Sequence, residues 1–145
     1  MTALPRLAVL AFAAVLPIGC VAPPPPANPF AGNWATAEHQ EIAFRDDTVI
    51  LTPPDAQPTA MGAESCGGAF RFGYARKSRE ALIGLAPHQP DVRGKLASLL
   101  VMPDYPVAEL TCGEGANTYV LLDERGLVAI YRDRDIAGVE RLSRL

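Results

Sequence analysis

The stretch TYVLLDERGLVAIY, residues 118–131, decides the fold class. Residues 118–122 and 127–131 are apolar runs rich in β-branched and aromatic side chains, which suit a pleated, half-buried surface. Between them stand Asp123, Glu124, Arg125 and Gly126. An aspartate that hydrogen-bonds its own backbone and a glycine free to take positive φ make this a turn, so the whole stretch reads as a β-hairpin.

Downstream, residues 138–144 supply a closing strand, and upstream the apolar residues alternate. In residues 69–74 (AFRFGY), Phe70, Phe72 and Tyr74 share one face while Arg71 and Gly73 take the other. Ile42 and Phe44 alternate before the turn Arg45-Asp46-Asp47, residues 48–51 follow as a strand, and Pro53-Pro54-Asp55 breaks the chain again. Residues 81–85 read as a partner strand. Residues 90–100 (PDVRGKLASLL) depart from this period. Val92, Leu96, Leu99 and Leu100 fall on one helical face, Asp91 stands where an N-cap would, and Pro103 lies beyond the end. The pattern predicts a mainly β domain, a small antiparallel barrel or bent sheet with one short helix over about 91–101 packed on it.

The 145 residues carry a net charge of −3, which becomes one unit more negative if Arg6 leaves with a leader. A weakly acidic body lacks the basic footprint that nucleic acid requires, and it offers no polybasic patch for anionic lipid. Of the 14 prolines, Pro23, Pro24, Pro25, Pro26 and Pro29 crowd into one short segment. That segment, residues 20–29, reads as an extended, semi-rigid tether ahead of a single globular domain, residues 30–145.

Residues 1–19 read as a secretory signal: Arg6 is the positive flank, and residues 7–16 (LAVLAFAAVL) form an apolar run too short to span a bilayer. The run ends in Leu16-Pro17-Ile18-Gly19-Cys20. This resembles the lipobox of bacterial lipoproteins, although Pro17 stands where an aliphatic residue is usual. The resemblance implies cleavage before Cys20, lipidation of its sulfur with palmitate-type chains, and a membrane anchor. Val21, rather than aspartate, after the cysteine implies the outer membrane. With Cys20 lipidated, Cys66 and Cys112 remain to pair as a disulfide in an oxidising compartment.

Gly32-Asn33-Trp34 resembles the G-x-W of lipocalins and related small calycin barrels. In that family the tryptophan closes one barrel end and stacks on an arginine of the last strand, a role that falls here to Arg141 or Arg144. With residues 122–131 and 142–144, the same motif resembles small bacterial lipoproteins and periplasmic inhibitors of secreted metalloproteases. That likeness covers the two ends of the domain, and the helical stretch 90–100 departs from it.

Catalytic patterns are only approached in this sequence. Ala63-Glu64-Ser65-Cys66-Gly67 lacks the first glycine of a nucleophile elbow, and no long helix pattern follows it. His39 and His88 stand apart from each other and from the cysteines, and no metal, phosphate or nucleotide fingerprint is present, so neither a cofactor nor a catalytic role is expected. Tyr131-Arg132-Asp133-Arg134-Asp135 alternates in sign, as a solvated turn does. Arg132, Asp133 and Arg134 would otherwise serve as a docking edge for an envelope protein, with Tyr105, between Pro103 and Pro106, as a second contact on a rigid loop. The expectation is a lipid-anchored, non-catalytic binding or structural domain facing the periplasm, with a protease inhibitor or a carrier of a small apolar ligand as alternatives.

Overall fold

The computed structural model describes residues 27–145; the signal segment, Cys20 and most of the tether lie outside them. Among the described residues nine strands form one antiparallel sheet: β1 Gly32–Thr36, β2 Glu41–Phe44, β3 Val49–Thr52, β4 Thr59–Ala60, β5 Phe70–Ser78, β6 Asp104–Cys112, β7 Gly115–Leu121, β8 Gly126–Asp133 and β9 Ile136–Arg144. Their spatial order is β4-β3-β2-β1-β9-β8-β7-β6-β5. The hairpin expected over residues 118–131 is β7–β8, in register from Gly115 opposite Asp133 to Leu121 opposite Leu127. Its turn is held by Asp123, whose carboxylate accepts from the Arg125 and Gly126 amides at 2.8 Å each. Gly126 is not among the positive-φ residues, so the aspartate shapes this turn and the glycine's freedom is not used.

β4 and β5 follow one another in the chain yet occupy opposite edges of the sheet. A flat sheet of nine strands would be about 38 Å wide at the usual strand spacing. Ten Cα steps from Ala60 to Phe70 reach about 34 Å when fully extended. This connection is not extended, because it coils through Cys66 N–H to Gly62 C=O and Gly68 N–H to Ala63 C=O. The sheet therefore curls into a half-barrel. Phe72 lies 6.4 Å from Phe44, Tyr74 lies 5.5 Å from Phe30, and the Tyr74 hydroxyl donates to the Arg45 carbonyl across the opening. The Cys66–Cys112 disulfide pins the connecting strap to the β6–β7 turn.

Curling creates a concave and a convex face, and both are apolar. Phe30, Trp34, Phe44, Tyr119, Leu127 and Leu142 fill the concave side. On the convex side Tyr105, Val107, Val120, Val128 and Ile130 are covered by two helices, α1 Arg79–Ile83 and α2 Pro90–Leu99, through Leu82, Leu96 and Leu100. Residues 127–130 of β8 are consequently buried on both faces, which is why they read as a continuous apolar run rather than an alternation.

α2 begins one residue and ends two residues ahead of the expected helix. Its N-cap is Gln89, not Asp91, because Pro90 occupies the first helical position. α1 replaces the strand expected over 81–85. Ser78, the last residue of β5, accepts a hydrogen bond from the Ala81 amide at 3.2 Å, and Glu80 sits in the first turn, so a helix starts where the apolar pattern alone suggested a strand. The true partner of β5 is β6, paired over nine residues. Arg79 then caps the far end of α2, donating to the Leu100 and Ala97 carbonyls at 2.5 and 3.0 Å.

Candidate functional site

The two ends of the half-barrel differ. At one end the chain enters through Ala27–Phe30, and there Arg144 of β9 ties together Trp34 of β1, the segment leading into β1 and the β7–β8 turn. Its guanidinium lies 4.2 Å over the Trp34 ring and donates to the carbonyls of Glu124, Ala31 and Pro29 at 2.7, 2.7 and 2.9 Å. Trp34 is 0% exposed, and its indole N–H donates to the Phe30 carbonyl at 3.0 Å. Gly32 makes the approach possible. It holds φ +126°, and a Cβ there would stand 2.9 Å from the Arg144 Nη1. Arg141 does not share this role, because strand parity sends it to the convex side, where it lines a hollow with Gly94, Lys95 and Leu99 of α2. At this end Phe30 and Trp34 are buried, and the Pro29 and Ala31 carbonyls are held by Arg144.

The same end carries an apolar hollow of about 350 Å³ between the incoming residues 27–30 and Tyr74, Pro106 and Val107. Tyr105 is not on an exposed loop. It belongs to β6, is 1% exposed, and its hydroxyl accepts from the Met102 amide at 2.6 Å. Pro103 and Pro106 flank a strand start rather than a loop, and the ring packs under α1 and α2. Tyr105 is therefore a core residue and no docking contact.

At the opposite end, Arg132 and Arg134 line a polar cleft of about 310 Å³ with His88, Gln89, Glu114 and Asp135. The Gln89 side chain accepts from the Ala137 amide at 2.5 Å, tying the α1–α2 connection to β9. The Arg132 Nε is buried without a protein acceptor. Arg134, at φ +53°, pairs with Glu114 at 2.9 Å, an exposed contact of little energetic weight. Asp133 is exposed at the end of β8 and does not line the cleft. His88, Gln89 and Glu114 carry no signal of this site in the sequence; they meet Arg132 only because the β8–β9 turn folds against the α1–α2 connection.

No known family model, curated protein or solved structure matches this chain. The sites therefore stand on their own geometry. Ser65, the near-miss nucleophile, has its hydroxyl bound to the Gly62 amide and carbonyl in an exposed turn, with no histidine among its hydrogen-bond partners. His39 lies exposed in the β1–β2 turn at φ +64°.

A polar group inside the curl has no local signal in the sequence. Asn117 donates to the Tyr119 hydroxyl at 3.2 Å, and the Tyr131 hydroxyl donates to the Glu140 carboxylate. The strand pairing aligns these residues on one face, but the sequence alone shows only apolar-looking tyrosines. Burial is the main cause that pushes Tyr119 up from 10.0 to about 12, opposed by the Asn117 hydrogen bond and aided by the Glu140 charge. Tyr131 is raised too, first by burial and then by its bond and proximity to Glu140. Folding therefore favours the neutral phenols. The stabilisation is complete below pH 10, where the unfolded chain also keeps its protons, and is lost as pH rises through about 12. Two units at Tyr119 correspond to about 2–3 kcal/mol. Urea midpoints measured against pH are expected to fall across that interval, and Tyr119→Phe is expected to flatten the fall; an unchanged slope in the variant would remove the tyrosine as its cause.

Proposed function

We propose that the chain is an envelope lipoprotein, held on the outer membrane by lipid on Cys20, whose folded domain acts by binding a protein and not by catalysis. The observation that carries the anchor is the use of the cysteines. The sequence has three, Cys66 and Cys112 are bonded to each other, and Cys20 remains at the end of an apolar leader with small Gly19 before it. The Cys66–Cys112 bond also suits an oxidising compartment. A protein partner is favoured over an apolar small molecule because the concave face, where a carrier would hold its ligand, is filled by the ring contacts of Phe30, Phe44, Phe72 and Tyr119. The mixed-charge cleft around Arg132 and Arg134 lies at the end away from the incoming tether, where a partner has access to it.

The test has two parts. In cells fed labelled palmitate, the wild-type chain is expected to take up label and to sediment with membranes, whereas Cys20→Ala is expected to lose both; label retained by the variant overturns the anchor. Crosslinking from Arg134 in intact cells, followed by purification of the lipidated protein, is expected to recover one stoichiometric protein. Recovery of the domain alone with an extractable apolar molecule would replace this reading with the carrier.

A further inference from the structure

The end at which the tether enters is also where the described residues expose their most accessible large apolar side chain. α2 runs into the connection 100–103, in which Val101 is 82% and Met102 47% exposed, although neighbouring Leu100 is fully buried. This connection feeds the start of β6. The apolar hollow places residues 27–30 against Pro106 and Val107 of that same strand start, so the entering chain and the Val101–Met102 knuckle share one rim. Leu145, 69% exposed, projects from that rim as well, beyond Arg144. Arg79 fixes the knuckle from below by binding the Leu100 and Ala97 carbonyls, and its own amide donates to the Pro103 carbonyl at 2.9 Å. Val101 and Met102 are thus held outward by a built connection.

From these placements we infer that the rim bearing Val101 and Met102 is a membrane-contact surface, the two side chains entering the lipid interface beside the anchor. The inference rests on the Cys20 anchor proposed above. Seven residue steps separate Cys20 from Ala27, and they span at most about 24 Å, so a domain anchored at Cys20 keeps this rim within reach of the bilayer. Tethering at that range raises the local concentration of the interface to the order of millimolar, so a contact of two apolar side chains suffices to orient the domain. A protein partner on this rim would compete with the anchor for space, whereas lipid is already present there. Oriented this way, the Arg132–Arg134 cleft at the opposite end points away from the membrane.

The experiment compares Val101→Trp with Ile136→Trp in the full-length, cell-processed protein. Ile136 is 70% exposed at the far end of the half-barrel and serves as the control. Trp34, the one native tryptophan, is buried and gives both variants the same background. Each protein is reconstituted into phosphatidylcholine vesicles with brominated acyl chains, and the mass of its N-terminal peptide is measured. Expected is a blue-shifted, strongly quenched emission for Val101→Trp and none beyond background for Ile136→Trp. Equal emission in the two variants, with lipid found on the peptide, overturns the membrane contact and leaves the anchor standing. A peptide without lipid overturns the anchor; quenching of Val101→Trp on such a protein still supports the rim as the contact, and absence of quenching removes both.

Discussion

Replacing Cys66 and Cys112 together by alanine is expected to destabilise the domain by about 4 kcal/mol, because the bridge closes a loop of sequence separation 46. Domains of this size are stable by only about 5–15 kcal/mol, so the variant is left marginal. The position of the bridge sharpens the expectation. It fastens the strap between β4 and β5, the two edges of the sheet, to the β6–β7 turn, where Gly113 at φ +61° also donates to the Ala69 carbonyl at 2.8 Å. Without it the strap is held by its own turns and by the few contacts across the opening. Urea unfolding of the oxidised protein, the reduced protein and the double variant is the measurement. Losses under about 1 kcal/mol would mean that the rings packed inside the curl hold the edges together without the covalent link.

Trp34→Ala is expected to cost about 3–5 kcal/mol, the range for deleting a buried aromatic side chain. Three losses coincide: a fully buried ring in the concave core, the indole bond to the Phe30 carbonyl, and the face on which Arg144 rests. Trp34→Phe separates them, since it keeps an aromatic face for Arg144 but leaves the Phe30 carbonyl unpaired, at about 1–3 kcal/mol. Far-ultraviolet circular dichroism is the probe, because the tryptophan being replaced is the one that would otherwise report by fluorescence. A Trp34→Ala cost near that of an average surface substitution, under about 0.5 kcal/mol, would show that this end is closed by Phe30 and Leu142 alone.

The tyrosines show where reading from sequence stops. Tyr74, Tyr105, Tyr119 and Tyr131 look alike in the chain, yet Tyr105 is buried beneath helices, Tyr119 and Tyr131 meet polar partners inside the curl, and Tyr74 spans the opening. Arg141 and Arg144 are equally plausible partners for Trp34 by spacing. Only the pairing of Trp34 with Arg144 across β1 and β9 distinguishes them, because side chains three apart on a strand face opposite ways. The far cleft was half legible: the run Arg132–Asp135 was visible as a charged turn, but nothing local connects it to His88 or Glu114.

Most of the local elements are legible along the chain. Alternating apolar residues mark β2 and β5, apolar runs on either side of a turn mark β7 and β8, turn residues bound β3 and β9, and a helical spacing of leucines marks α2. Counting cysteines paired Cys66 with Cys112 once Cys20 was given to a lipid. These signals are periods of two or near four residues and spacings along one chain, which neighbouring side chains decide. The remainder follows from how the elements pack on one another. The nine strands curled because a short strap joins the two edges of the sheet. That curl set which face each side chain occupies, and so which arginine meets Trp34 and which residues line each end. Such choices depend on contacts between residues tens of positions apart, and no local period encodes them.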